Sequence, residues 1–106
     1  MTAAPLRLGI AGLGTVGVGV VRMIQKNAAL ITKRTGREIT ISAVCAQSRY
    51  KDRGVDLSGY AWEDDSVVLA KRDDVDVFVE LIGGSTGTAK QETQAAIAAG
   101  TDVITA

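Results

Sequence analysis

The alternation of apolar and polar positions divides the chain into strands and helices. Three short apolar runs, Leu6–Ala11, Glu38–Ala46 and Val75–Ile82, predict buried strands, and Asp102–Thr105 begins a fourth. Leu6–Ala11 is apolar at almost every position and is followed by glycine. We therefore expect it to be covered on both faces, at the centre of a parallel sheet.

The stretches between these strands have the spacing of helices. Over about Thr15–Thr35 apolar residues recur every three or four positions, and Gly36 is the expected stop. The expected buried face of this helix consists of Val16, Val20, Ile24, Ala28 and Ile31. Glu63–Ala70 indicates a short helix with acidic residues in its first turn, and Thr88–Ala99 predicts a third helix that ends at Gly100.

The second strand is rich in β-branched residues, and its alternation predicts which side chains share a face. We expect one face to hold Ile39, Ile41, Ala43 and Cys45, and the opposite face to hold Thr40 and Ser42. The following segment, Gln47–Gly59, is polar, charged and punctuated by glycine. This composition predicts a loop before the short helix.

The order of these elements defines the fold class. Strand, helix and strand follow one another without hairpin turns, so the strands are expected to pair in parallel through right-handed crossovers. Helices then cover both faces of the sheet. We predict an α/β fold, a doubly wound parallel sheet in three α/β/α layers, with about four strands present. A chain of 106 residues suffices for one packed core, so residues 1–106 are interpreted as a single domain.

Charge and composition exclude several classes of function. Twelve basic and twelve acidic side chains cancel, so no net field attracts nucleic acid or an anionic membrane surface. No stretch reaches the roughly 18 uninterrupted apolar residues of a membrane span, so no membrane partner is expected. One cysteine, Cys45, and no histidine leave neither an internal disulfide nor a metal site, which favours a reducing cytoplasm.

Glycine is concentrated in the stretch GIAGLGTVGVGV, Gly9–Val20. Part of it matches G-x-G-x-x-G between a predicted strand and a predicted helix, the context of the Rossmann dinucleotide-binding motif. There Gly12 permits a tight turn, Gly14 admits a pyrophosphate to the backbone, and Gly17 lets the helix approach the strand. The alternative is a glycine-rich turn that only packs tightly. The candidate phosphate-binding residues are Gly12, Leu13, Gly14, Thr15, Val16 and Gly17.

The residues after the second strand are candidates for contact with an adenosine ribose. They are Ala46, Gln47, Ser48 and Arg49. A carboxylate at this point binds the 2′-hydroxyl of NAD, whereas basic or small polar residues accept a 2′-phosphate. No carboxylate lies between Glu38 and Asp52, while Arg49 and Lys51 are close enough in sequence to meet a phosphate. We predict NADP as the cofactor, with NAD as the second choice. The alternative is that Arg49 and Lys51 are solvated charges of the loop and contact no phosphate.

The third strand runs into a glycine pair at the predicted carboxyl edge of the sheet. Ligands of doubly wound sheets lie at this edge, so Ile82, Gly83 and Gly84 are candidates for the nicotinamide side. A plain turn would also account for the two glycines. Glu80 is a carboxylate within an apolar strand and must be paired or hydrogen-bonded. It either anchors neighbouring backbone or faces the site.

Several segments in order resemble the N-terminal part of homoserine dehydrogenase: GIAGLGTVGVGVV, KRTGREI, KDRGVDLSG, DVFVELIGG and AAGTDVITA. The likeness covers Leu6–Ala106. It implies an NAD(P)-dependent oxidoreductase that interconverts aspartate semialdehyde and homoserine, on the route to threonine, isoleucine and methionine. It also implies that Gly12–Gly17 is the cofactor loop, with adenosine contacts around Ala46–Arg49 and the nicotinamide-side loop at Ile82–Gly84.

The chain departs from this family at two points. A basic residue commonly follows the second strand directly, whereas this chain has Gln47 there and Arg49 two places later. The family also continues after the fourth strand into an Asn-Lys pair whose lysine is catalytic, and then into a substrate-binding and dimer-forming region. This chain ends at Ala106. The resemblance therefore implies no catalytic residue within it, no turnover by it alone, and a homo-oligomer formed through the later region.

Two other functional interpretations are open at this point. One is a non-catalytic module that binds a dinucleotide and reports redox state to a partner. The other is the first domain of a different semialdehyde or amino-acid dehydrogenase. The sequence has no basic recognition helix and no large exposed apolar stripe that would favour the sensing module.

Overall fold

The computed structural model describes residues 4–82 and 94–105. The strands are β1 (Leu6–Ala11), β2 (Ile39–Cys45), β3 (Ala61–Glu63), β4 (Val77–Glu80) and β5 (Asp102–Thr105). The helices are α1 (Thr15–Thr35), α2 (Ser66–Ala70) and α3, of which the structure describes residues 94–98. The predicted beginning of the third helix at Thr88 lies outside the described residues.

The five strands form one parallel sheet in the order β3-β2-β1-β4-β5. The chain builds outward from β1 through β2 to β3, and then returns to the other side of β1 with β4 and β5. The carboxyl ends of β1 and β4 therefore lie side by side at the point where the strand order reverses. The predicted doubly wound α/β fold is confirmed, with β1 at its centre.

Helices cover both faces of the sheet, as predicted. On one face α1 packs over a cluster that includes Leu8, Ile10, Val21, Ile24, Ile41, Val44, Val77 and Val79. On the other face α2 and α3 pack over a cluster of Ala11, Ala43, Cys45, Leu69, Ala70, Phe78 and Ala96. The sheet is thus the middle layer of three, and all four residues of β4 are buried.

Strand β3 was not predicted, and it gives the sheet five strands instead of about four. It has only three residues, all half-buried, so it is too short to show an alternating pattern. Arg72 holds its end in place, because Nη1 donates to Glu63 Oε2 at 2.6 Å while Nε and Nη2 donate to Asp74 at 2.7 and 2.8 Å. The bond from the Arg72 guanidinium lowers the pKa of the Asp74 carboxyl.

The short helix α2 begins later than predicted. Glu63 belongs to β3, and the helix starts at Ser66. Asp65 is its N-cap residue, and Oδ1 of Asp65 accepts the Val67 N–H at 2.9 Å. The acidic residues expected in the first turn therefore precede the helix, where a carboxylate satisfies a backbone donor.

The predicted face assignment of β2 is wrong beyond Ile41. Leu8 of β1 pairs with Ile41, but the next β1 residue pairs with Ala43, so Ser42 is an inserted residue. Such a bulge reverses the alternation that follows it. Ala43 and Cys45 consequently pack beneath α2 and α3 instead of α1. The inserted residue is defined by the partner strand, so the alternation within β2 could not reveal it.

The buried face of α1 also differs from the predicted one. Its buried residues are Gly17, Val21 and Ile24. Val16 is 60% exposed and Ala28 is also exposed. The backbone leaves helical geometry at Asn27, with φ −114° and ψ 15°, which kinks the helix. A single continuous apolar stripe along all of Thr15–Thr35 was therefore the wrong expectation.

Gly17 determines how closely α1 approaches the sheet. A Cβ added to Gly17 would lie 1.8 Å from the carbonyl oxygen of Gly12, far inside the 3.0 Å that real Cβ atoms respect. The helix backbone therefore rests directly on the turn after β1. The close approach predicted for Gly17 is present, and it turns Gly17 rather than Val16 towards the core.

Gly17→Ala should destabilise the fold by about 2 kcal/mol or more, because the turn or the helix must move to admit the methyl group. Gly19→Ala is the matched control, since its Cβ would meet nothing within 4 Å. That change should stabilise the fold by roughly 0.5–1 kcal/mol through helix propensity. Urea unfolding followed by circular dichroism measures both free energies. Similar values for the two variants would contradict the steric argument.

Candidate functional site

The turn after β1 places backbone at the carboxyl edge of the sheet. Gly12 has a φ of +99°, which L side chains rarely adopt. A Cβ added to Gly12 would lie 2.7 Å from the carbonyl carbon of Leu81 and 2.8 Å from the amide nitrogen of Ile82. The Gly12 N–H donates to the Cys45 carbonyl at 2.8 Å. The ends of β1, β2 and β4 thus meet where no side chain fits.

The N-terminus of α1 follows this turn, and no side chain closes it. Gly14 is the N-cap residue, and the Val18 N–H donates to its carbonyl at 2.9 Å. The bond from Val18 is the first within the helix. The N–H groups of Thr15, Val16 and Gly17 therefore have no acceptor within the helix. The first turn contains no acidic residue, and a Cβ on Gly14 would meet nothing within 4 Å. The positive end of the helix dipole makes this tip suitable for a diphosphate.

The loop after β2 separates the residues predicted for the adenosine side. Ala46 is half-buried and packs against the cluster beneath α1, whereas Gln47, Ser48 and Arg49 are exposed. Ser48 has a φ of +56°, so the chain turns sharply at that residue. The Arg49 guanidinium carbon lies 5.7 Å from the centroid of the Tyr50 ring. Arg49 therefore contacts a neighbouring aromatic side chain in the same loop.

An open cleft of about 340 Å³ lies between the first turns of α1 and this loop. It is lined by Leu13, Gly14, Thr15, Val18, Arg22, Lys51, Asp52 and Arg53. The cleft brings three predicted loop residues, Leu13, Gly14 and Thr15, together with Lys51. Arg49, which was expected to meet a phosphate, is not one of its lining residues.

Sequence reasoning missed two cations of this cleft, Arg22 and Arg53. A signal for Arg22 was present, because Thr15, Val18 and Arg22 follow the i, i+3, i+7 spacing of one helix face. This spacing alone would have placed Arg22 on the same face of the helix as Thr15, the residue that follows Gly14 in the glycine motif. No comparable signal existed for Arg53, whose contacts depend on how the loop folds.

Arg53 holds the loop in its folded shape. Its Nη1 donates to the carbonyls of Ser48 and Lys51 at 3.1 and 3.3 Å, and its Nη2 donates to the carbonyl of Gln47. The guanidinium carbon also lies 5.6 Å from the centroid of the Trp62 ring. One side chain thereby satisfies three loop carbonyls and joins the loop to β3.

Glu80 anchors the chain at the end of β4. Only 5% of Glu80 is exposed, and its Oε1 accepts the Ile82 N–H at 2.6 Å. The Leu81 N–H donates to the Ala11 carbonyl at 2.8 Å. These two bonds hold the residues after β4 against Gly12. Of the two alternatives for Glu80, the backbone anchor is the one that the hydrogen bond supports.

One of the three residues predicted for the nicotinamide side is described. Ile82 is 45% exposed, and its backbone lies beside Gly12. Gly83 and Gly84 lie outside the described residues, so their contact with a ribose stays a prediction.

The described edge of the sheet offers backbone amides and cations to a ligand. Within residues 4–82 and 94–105, no group of three or more His, Cys, Asp or Glu side chains is arranged to hold a metal ion. The helices in this part of the chain are also too short or too polar to cross a membrane. The backbone amides at the tip of α1 and the cations of the cleft suit an anionic ligand.

A doubly wound parallel sheet, a glycine turn at its switch point and an open helix tip together define a dinucleotide-binding α/β domain. A family model described as "Homoserine dehydrogenase, NAD binding domain" matches residues 12–106. The chain belongs to this family. The family predicted from the sequence is confirmed, and with it a nicotinamide dinucleotide as the cofactor.

Individual relatives agree with this assignment. Homoserine dehydrogenase of Neisseria gonorrhoeae is 46% identical over 102 residues, which cover 96% of this chain and 23% of that protein. The Pseudomonas aeruginosa homoserine dehydrogenase is 37% identical over 102 residues, which again cover 96% of this chain and 23% of that protein. A crystal structure of S. aureus homoserine dehydrogenase superposes with a TM-score of 0.85 at 30% identity, covering 100% of this chain and 26% of that one. The chain thus spans about a quarter of the length of these relatives.

Gly14→Ser should separate binding from stability. A serine N-cap accepts a hydrogen bond from the first turn, so stability should be unchanged or higher by a few tenths of a kcal/mol. The same side chain occupies the approach to the amides, so NADP affinity should fall at least about tenfold. Thermal unfolding and calorimetric titration measure the two effects. Undiminished affinity would exclude Gly14 from phosphate binding.

Proposed function

We propose that the chain is the cofactor-binding domain of a homoserine dehydrogenase, which interconverts aspartate semialdehyde and homoserine. The observation that supports this most is the open tip of α1 at the switch point, in a chain that belongs to the NAD-binding family. Because the chain spans only about a quarter of its relatives, the activity is proposed for the whole polypeptide. The same holds for its place on the route to threonine, isoleucine and methionine.

The proposed cofactor site has three parts. Gly12–Gly17 binds the pyrophosphate through its amides, Ala46–Arg49 lies beside the adenosine ribose, and Ile82–Gly84 lies beside the nicotinamide ribose. The nicotinamide supplies hydride transfer when it is bound. The part of this chain is to hold and orient the dinucleotide. No residue in 1–106 is proposed as a catalytic acid or base.

The proposal extends to the assembly and location of the whole protein. Residues 1–106 form one dinucleotide-binding domain, and sequence outside them supplies substrate binding and the contacts of a homo-oligomer. Nucleic acid is not among the proposed partners, because the net charge of the chain is zero. The single cysteine supports a reducing cytoplasm.

Turnover provides the test of the enzyme assignment. The 106-residue chain should bind NADP without oxidising homoserine, as followed by the absorbance of the reduced nicotinamide. The polypeptide that also contains the substrate-binding region should oxidise homoserine at an ordinary rate of about 1–1000 per second. Failure of that longer polypeptide with both NADP and NAD would refute the assignment. Enzyme-like turnover by the short chain would refute the absence of catalytic residues within it.

We also propose that NADP is preferred over NAD, because Lys51 lines the cleft beside the helix tip. Lys51→Ala should weaken NADP binding about tenfold and NAD binding less than about twofold, since only NADP carries the 2′-phosphate. Lys71→Ala removes an exposed lysine at the end of α2, on the other face of the sheet, and is the control. Calorimetric titration gives both affinities. Tighter binding of NAD by the unaltered chain would disprove the preference.

A further inference from the structure

Arg22 is a cation that the proposed cofactor contacts do not use. It lies on α1, is exposed, and lines the same cleft as Thr15 and Lys51. In the part of the chain that the structure describes, the ion pairs join Arg7 to Asp76 and Arg72 to Glu63 and Asp74. Neither Arg22 nor Lys51 belongs to any of them.

The loop is built to pass close to Arg22. Gly54 has a φ of +75°, and a Cβ added to it would lie 3.4 Å from Arg22 Nη2. One turn further along α1, Gln25 Nε2 donates to the Asp56 carbonyl and to the Tyr60 hydroxyl, both at 2.8 Å. These bonds tie the loop to the helix beside Arg22. The juxtaposition is therefore part of the folded structure rather than a consequence of a loose surface loop.

The cleft carries an excess of positive charge. Its charged lining residues are Arg22, Lys51, Arg53 and Asp52. Arg53 is committed to three loop carbonyls, and Asp52 Oδ1 accepts the Gly54 N–H at 2.9 Å. Arg22 and Lys51 are thus the two cations left to meet a ligand, on opposite walls of one cleft.

The position of Arg22 along α1 indicates which anionic group of the cofactor it contacts, the pyrophosphate or the 2′-phosphate. Eight residues separate Gly14 from Arg22, or about 12 Å along the helix axis. The pyrophosphate belongs at the helix tip, where the amides lie, so a cation one or two turns further along faces a second anionic group. The adenosine side of the cofactor lies by the loop after β2, where the 2′-phosphate of NADP projects.

We infer that Arg22 and Lys51 form a phosphate-monoester subsite that receives the 2′-phosphate of NADP, which makes Arg22 a specificity-determining residue. A guanidinium matches a phosphate monoester because it presents paired N–H donors to two oxygens. The inference rests on the proposed dinucleotide function. It adds a helix residue, beyond the loop cations, to the basis of cofactor choice.

The test compares two variants of neighbouring exposed cations on α1. Arg22→Ala should weaken binding of NADP and of adenosine 2′,5′-bisphosphate at least about tenfold, and leave binding of NAD and AMP within about twofold. Lys26→Ala removes the same charge one turn further along, outside the cleft lining, and should leave all four affinities unchanged. Calorimetric titration gives the affinities, and thermal unfolding should show equal stability for the two variants.

Three results would overturn the inference. Unchanged NADP affinity in Arg22→Ala would show that Arg22 does not meet the ligand. Equal losses for NADP and NAD would place Arg22 at the pyrophosphate or in the fold instead. Failure of the unaltered chain to bind either dinucleotide would refute the proposed function itself. The first two results concern only Arg22, so the two kinds of failure can be told apart. Arg22→Lys should keep part of the NADP preference, because it keeps the charge without the paired donors.

Discussion

The structure depends on a contact between two pieces of bare backbone. Gly17 of α1 lies so close to the Gly12 carbonyl that even a methyl group would overlap it. This contact sets the rotation of the helix, so Val21 and Ile24 point into the core while Val16 stays exposed at the tip. Glycines and β-branched residues make the first turns of α1 poor helix formers. Packing against the turn and the sheet offsets that weakness.

The same contact explains why the ligand site is made mostly of main chain. With the helix seated on the turn, its first N–H groups remain at the carboxyl edge of the sheet, and Gly14 adds nothing that could cover them. Two residues position the chain just after β4. Glu80 accepts the Ile82 N–H, and Gly12 has no side chain that would collide with the Ile82 backbone. An anion that approaches this edge meets oriented dipoles, which need no reorganisation when the anion binds.

The loop after β2 complements the helix tip with side-chain charge. Arg53 satisfies the loop's own carbonyls and lies over Trp62, and Gln25 fastens the loop to α1. Val55, Leu57 and Tyr60 of the loop also pack against the cluster beneath α1. Hydrogen bonds and these apolar contacts together give the polar segment its shape. Lys51 and Arg22 are left on facing walls of the cleft as a result.

The sequence by itself determined the order of the main strands, the parallel α/β class, the glycine motif and the family, because each follows from residues that are neighbours along the chain. It could not determine the inserted Ser42, the three-residue strand β3 or the true buried face of α1. Those features depend on a partner strand or on a backbone contact between distant residues. The sequence likewise indicated Arg49 and Lys51 as the cations of the site. Only the tertiary structure placed Arg49 over Tyr50 and brought Arg22 to the cleft, because loop shape depends in part on contacts with α1, β3 and the core that the local pattern does not encode.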